Sequence, residues 1–261
     1  MVRETIQLQN LSIGYSRKSS VKVVAENINA SLLRGELTCL VGVNGVGKST
    51  LLRTLSAFIP VLSGQVILQQ KPLGNYTDKE LAQVIGVVLT DKLEVQNLRV
   101  EELVGLGRSP YTGFWGSLRE NDNVIVQEAI SQVGIQDLSQ RMVMTLSDGE
   151  RQKAMIAKAL AQQTPVIILD EPTAFLDYPS KVELMQLLAK LAHDMDKTIF
   201  LSTHDLEIAL QVADKVWLLE HNCLNIGTPK QLLQDGSLQR AFGRQGITFG
   251  EYDEVIRISI A

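Results

Sequence analysis

Residues 42–50 read GVNGVGKST and place Gly42, Gly47, Lys48 and Ser49 at the spacing G-x-x-x-x-G-K-[ST]. Glycines at those points let backbone N–H groups turn inward on phosphate oxygens. A helix starting at Lys48 adds the partial positive charge of its N-terminus. Lys48 is then expected to reach the β- and γ-phosphates of a nucleotide, and Ser49 to ligate Mg²⁺. The expected cradle is the whole loop: Gly42, Val43, Asn44, Gly45, Val46, Gly47, Lys48, Ser49 and Thr50. By itself it shows that a nucleotide is handled, not what the nucleotide drives.

The elements that must hold this loop are legible from pattern. ELTCLVGV (36–43) is a short, nearly continuous apolar strand, and helical character follows from Lys48 through STLLRTLSAF. Alternation in TIQLQNLSIGY (5–15) and VAENINASLL (24–33) predicts an antiparallel hairpin or small sheet. SGQVILQ (63–69) and VIGVVL (84–89) are further strands. Thr77 and Glu80 form a capping box between them. From about residue 90 the pattern turns helical, over 100–108, 124–134 and 150–163. Strands return with PVIILD (165–170) and KTIFLST (197–203), and a helix from Pro179 places Leu184, Leu187, Leu188 and Leu191 on one face. DKVWLLE and CLNIGT read as a hairpin, and Thr228-Pro229 as the start of a short helix. The tail RQGITFGEYDEVIRI (244–258) has the pattern of two strands. The expectation is one α/β core (1–89 and 165–261) interrupted by an all-helical insert at 90–164.

VIILDE (166–171) resembles a Walker B strand followed by a second carboxylate. Four apolar residues bury the strand, so the two acids at its end are aimed rather than scattered. Asp170 would hold Mg²⁺, directly or through water, and Glu171 would polarise the attacking water as a general base.

The 261 residues suffice for a sizeable core. An apolar fraction of 45%, a charged fraction of 21% and a net charge of −4 give no electrostatic case for nucleic acid, which leaves a basic footprint. Cys39 and Cys223 are too few for a disulfide framework, and the reading is a reducing cytosol. The opening MVRETIQLQN has no apolar signal segment. No run approaches the roughly 18 apolar residues of a membrane helix. Any membrane link is therefore expected to pass through a partner.

LSDGERQ (146–152) resembles the LSGGQ signature of the ATP-binding cassette (ABC) ATPases. The resemblance covers nearly the whole chain, and the motifs fall in the family's order. It implies a P-loop NTPase (RecA-like) core with an antiparallel β subdomain and an inserted α-helical subdomain. It also implies that ATP is the nucleotide and that Ser147 and the N–H of Gly149 bind the γ-phosphate of an ATP held by a second copy. AFLD (174–177) is similar to the D-loop, with Asp177 touching that copy. His204 in LSTHD matches the switch histidine at the γ-phosphate, and Tyr15 the aromatic that stacks on adenine.

The chain departs from the family at four positions, one of them Ala174, which replaces the usual Ser of the D-loop and removes a hydroxyl. Asp148 and Glu150 replace Gly and Gln of the signature. Asp tolerates left-handed backbone better than most residues. Two added carboxylates beside a triphosphate are unfavourable unless they point away or pair with Arg151. Thr90 stands where the Q-loop Gln is expected, followed by Asp91, and Gln96 is a second candidate for that role. Thr90 offers a hard oxygen suited to Mg²⁺ on a shorter arm.

NLRVEELVGLGRSPYTGFWG (97–116) resembles importers of iron-siderophores, haem and cobalamin, which often read T-V-x-E-L-V-x-x-G-R-x-P; a generic loop meeting any transmembrane partner is the plainer alternative. The implied machine is a head-to-tail homodimer sandwiching two ATP molecules at the cytoplasmic face of the inner (plasma) membrane. Permease subunits would be driven directly and a substrate-binding protein served indirectly. A soluble ABC ATPase acting on nucleic acid, ribosomes or Fe–S assembly is the alternative, and a P-loop kinase a third reading.

Overall fold

The computed structural model describes residues 4–17, 20–90, 97–113, 116–221, 223–243, 246–252 and 255–260. The chain opens with the long strands β1 (Glu4–Arg17) and β2 (Ser20–Leu33), then β3 (Leu37–Val41) and α1 (Lys48–Leu55). Next come β4 (Ser63–Leu68), β5 (Lys71–Pro72), α2 (Asp78–Ala82) and β6 (Ile85–Val88). Three helices follow without an intervening strand among the described residues: α3 (Val100–Gly105), α4 (Glu120–Gln132) and α5 (Asp148–Ala161). The chain returns through β7 (Val166–Asp170), α6 (Tyr178–Asp194), β8 (Thr198–Ser202), α7 (Leu206–Val212), β9 (Lys215–Glu220) and β10 (Cys223–Gly227). It closes with α8 (Pro229–Gln234), α9 (Ser237–Phe242), β11 (Ile247–Tyr252) and β12 (Val255–Ile260).

A six-stranded sheet in the order β10-β9-β3-β8-β7-β6 forms the centre. β9, β3, β8, β7 and β6 run parallel, and β10 pairs antiparallel to β9. Both faces of the inner strands are covered, which is why β3, β7 and β8 are buried at every position and read as unbroken apolar runs. Strand pleating sends alternate residues to opposite cores. Leu37, Cys39 and Val41 of β3, with Ile167 and Leu169 of β7, join α3 to α6 in one core. Leu40, Ile168, Phe200 and Trp217 join α1 and the antiparallel sheet β2-β1-β4-β5 in the other. Phe200 and Trp217 pack there with ring centroids 4.9 Å apart. Each such buried side chain contributes about 1.5–3 kcal/mol.

The hairpins, the helix starts at Thr77 and Thr228 and the helical run between β6 and β7 follow the sequence pattern. The Thr77–Glu80 capping box forms, and the helix starting at Thr228 adds a second box with Gln231 that was not anticipated. On α6, Leu184, Leu188 and Leu191 are buried and Leu187 is partly buried. The tail forms the antiparallel pair β11–β12. Two helices, α7 and α9, were not anticipated. At seven and six residues they are under two turns, too short for apolar periodicity to register. No helix among the described residues is long and apolar enough to cross a membrane.

Candidate functional site

The loop from Gly42 to Thr50 joins the carboxyl end of β3 to the N-terminus of α1, the place where parallel α/β sheets bind ligands. Two of its glycines are required by space as well as conformation. Gly42 has φ 155, and a Cβ there would lie 2.3 Å from the carbonyl oxygen of Leu219. Gly47 has φ 117, and a Cβ there would lie 2.2 Å from Cγ1 of Val24. Lys48 is buried, its Nζ donating to the carbonyl oxygens of Gly42 at 2.8 Å and Val43 at 3.3 Å. Burial pulls its pKa down, and the charges of Glu171 and Asp170 pull it back up. The ammonium is thus parked on the loop's own carbonyls, where an arriving phosphate can replace them. An open cavity of about 390 Å³ lies over the loop, lined by Asn44, Lys48, Ser49, Thr50, Glu171 and His204 among others.

The acids predicted at the end of β7 reach the same place. Asp170 Oδ1 accepts from Ser49 Oγ at 3.2 Å and from Ser202 Oγ at 2.7 Å. Ser49 Oγ and the Asp170 carboxylate are hard oxygen donors side by side, a set that suits Mg²⁺. Glu171 Oε1 lies 2.5 Å from His204 Nε2. One strand end and the loop after β8 thus present a carboxylate and an imidazole together, as a water-activating pair requires. The Tyr15 hydroxyl shares a 3.0 Å hydrogen bond with Thr50 Oγ1 while its side chain stays 44% exposed. Its ring therefore stands beside the first turn of α1, open to a stacking partner.

Ser147, Gly149 and Asp177 do not line this cavity. Ser147 is the N-cap of α5, its Oγ accepting from the Glu150 N–H at 3.3 Å. The two unexpected carboxylates of the signature are internally engaged. Asp148 Oδ1 pairs with Arg151 Nη1 at 3.0 Å. Glu150 Oε2 accepts from the Ser147 N–H at 2.8 Å and Ser147 Oγ at 3.0 Å, which holds its pKa below the usual range. The left-handed argument for Asp148 does not apply: it is the first residue of α5 and carries no positive φ. Asp177 caps α6 by accepting from the Ser180 N–H at 3.1 Å.

Thr90 lies beside the site, its Oγ1 donating to the carbonyl oxygen of Asp170 at 2.5 Å. Asp91 and Gln96 lie outside the described residues. Sequence reasoning missed Ser202, which bridges Asp170 and the Glu171 N–H; the only signal was a hydroxyl ending the apolar run TIFLS, since the acids lie 32 and 31 positions away. It also missed Asp205, which accepts from Thr173 Oγ1 at 2.6 Å and Lys181 Nζ at 2.7 Å and so ties the His204 loop to α6. In the loop GRSPYTG, Arg108 is not a surface contact. It is buried, bonded to Asp122 at 2.9 Å, the Ala161 carbonyl at 2.8 Å and Gln163 Oε1 at 3.0 Å, and lies 4.1 Å from the Tyr111 ring centroid.

Comparison with known proteins places this geometry. Residues 25–174 match a family model described as ABC transporter. An ABC transporter ATP-binding protein of Methanocaldococcus jannaschii is 39% identical, over 94% of this chain and 84% of the relative. The ferric enterobactin transport ATP-binding protein of Escherichia coli is 35% identical, over 90% and 86%. Among solved structures, a bacterial ABC transporter cassette in dimeric form superposes with TM-score 0.73 at 25% identity, covering 86% of this chain and 98% of that one.

Proposed function

Because the chain belongs to the ABC transporter ATP-binding family, an ATPase family, we propose that it is the ATP-hydrolysing subunit of an importer. Its cargo would be an iron chelate of the siderophore class, with haem or cobalamin as the neighbouring possibilities. The observation that carries the enzymatic part is one cavity lined by Lys48, Ser49, Glu171 and His204, with Asp170 bonded to Ser49 behind it. The cargo class rests on the siderophore-transport relative and on the resemblance of residues 97–116 to that subclass. These features favour transport over a soluble ATPase acting on nucleic acid, ribosomes or Fe–S assembly.

The loop residues 42–50 bind the phosphates through backbone N–H groups, and Lys48 exchanges its carbonyl partners for phosphate oxygens. Tyr15 stacks on the base. Ser49 and Asp170 would hold Mg²⁺; the ion would neutralise charge on the β- and γ-phosphate oxygens. Glu171 orients and deprotonates the attacking water, and His204 holds Glu171 and meets the γ-phosphate. Ser147 and Gly149 stand at a helix N-terminus outside this cavity, ready for an anion but without one supplied by their own loop. A second copy, packed head to tail, supplies it and brings Asp177 to the interface. The dimer works at the cytoplasmic face of the inner membrane through permease subunits, with 1–89 and 165–261 as catalytic core and 90–164 as the permease-facing insert.

Glu171→Gln tests the chemistry. It should bind ATP, hydrolyse it at under about a hundredth of the wild-type rate and accumulate as a dimer by light scattering; wild-type turnover would refute the base. Uptake of labelled ferric siderophore, haem and cobalamin into cells lacking the chain tests the cargo. Undiminished uptake of all three would overturn the import reading.

A further inference from the structure

Glu171 has φ 49, in the left-handed region that non-glycine residues rarely adopt. The peptide leading into it is gripped on both sides. Its carbonyl, from Asp170, accepts from Thr90 Oγ1 at 2.5 Å. Its N–H, from Glu171, donates to Ser202 Oγ at 3.0 Å, and the Ser202 hydroxyl donates onward to Asp170 Oδ1 at 2.7 Å. Thr90 follows β6 and Ser202 ends β8, and these strands flank β7 on either side. The register places Ser202 directly opposite Asp170.

We propose that Thr90 and Ser202 form a two-sided clamp on the Asp170–Glu171 peptide and thereby position the Glu171 carboxylate. The inference rests on the reading of Glu171 as the base. Both are positioning residues acting through that peptide. Rotating the peptide plane to relax φ at Glu171 would break both bonds, so the two hydroxyls hold the backbone angle from which the Glu171 carboxylate meets His204 at 2.5 Å. Threonine suits the grip: its hydroxyl sits on the β-carbon and its χ1 is stiff, so the reach is short and fixed. The hydroxyl proton is committed to the Asp170 carbonyl, a use distinct from donating an oxygen to a metal ion. At this position the chain has exchanged a long amide arm for a rigid tie between neighbouring strands.

Magnesium and enzyme kinetics separate the two uses. ATP hydrolysis is measured across ATP and Mg²⁺ concentrations, and binding of a fluorescent ATP analogue with and without Mg²⁺, for wild type, Thr90→Val, Thr90→Ser, Ser202→Ala, Glu171→Gln and Thr90→Val/Glu171→Gln. Thr90→Val should lower kcat by about tenfold or more, as a misplaced reacting group does. The KM for ATP, the Mg²⁺ half-saturation and the analogue's affinity should stay at wild-type values. Thr90→Ser should restore kcat to within about twofold, because it keeps the hydroxyl. In the Glu171→Gln background Thr90→Val should add nothing, since the clamp acts through Glu171. Ser202→Ala removes the opposite grip and carries the test if Thr90→Val does not fold. A wild-type kcat in Thr90→Val and Ser202→Ala, a raised Mg²⁺ requirement with kcat restored at saturation, or an undiminished loss in the Glu171→Gln background would each overturn the clamp. Failure of the underlying reading shows separately, as wild-type turnover by Glu171→Gln alone.

Discussion

Replacing Arg108 by Met should cost the fold about 3–5 kcal/mol, the usual penalty for removing one partner of a buried ion pair. The side chains of Arg108 and Asp122 are only 6% and 10% exposed. Without the guanidinium, Asp122 retains the Arg119 N–H at 3.0 Å, while the Ala161 carbonyl and Gln163 Oε1 lose a donor. Three charge-assisted bonds at about 1.5–3 kcal/mol each would sum higher. The smaller figure applies because Met refills part of the volume and Gln163 can turn to water. At about 2–4 °C per kcal/mol for a chain near this size, the melting temperature should fall by about 6–20 °C in a nucleotide-free calorimetric scan. Arg108→Lys should lie between, since one ammonium cannot reproduce a planar fork over three acceptors. Arg108→Met/Asp122→Leu should recover part of the loss by removing both charges. A single Met variant melting within about 2 °C of wild type would refute the assignment of this pair as the anchor of the loop.

The same pair sets an acid limb. Asp122 is held below the usual carboxylate range by the Arg119 N–H and then by Arg108. A depressed folded pKa stabilises above the unfolded value, about 3.9, and that contribution is lost as pH falls through the folded pKa. The gap between wild type and Arg108→Met should therefore narrow below about pH 4. Thiol labelling offers a second check. Cys223 is exposed, whereas Cys39 is buried and its thiol pKa is pushed up by burial and then by Asp214. Native protein should take one equivalent of a thiol reagent promptly and the second only on unfolding; two rapid equivalents would contradict the packing of β3. Tyr15→Ala should weaken ATP binding by about 1–3 kcal/mol, the worth of a base–aromatic stack, whereas Tyr15→Phe should keep most of it while losing only the bond to Thr50. Equal loss in both variants, read by calorimetric titration, would move the role from ring to hydroxyl.

Much of this protein was legible from local pattern. Short-range rules determine the phosphate loop, because its glycines, Lys48 and Ser49 act within one turn of chain. They also determine the strand ending in Asp170 and Glu171, the capping box at Thr77, the helix start at Thr228 and the helical run after β6. Each depends on residues a few positions apart, where backbone sterics and apolar period operate directly. The sequence likewise pointed to Asp148 and Glu150 as odd carboxylates in the LSDGERQ stretch.

Tertiary structure alone decided what those residues do to each other. Thr90, Asp170 and Ser202 are separated by 80 and 32 positions yet share one peptide, since the parallel sheet sets β6, β7 and β8 side by side regardless of the chain between them. Arg108 reads as a loop cation until Asp122, Ala161 and Gln163 close around it. The carboxylates of the signature look hostile to phosphate until Arg151 and the Ser147 N–H are seen to hold them. Local chemistry is written in spacing, whereas burial and pairing depend on which distant strands and helices the core brings together.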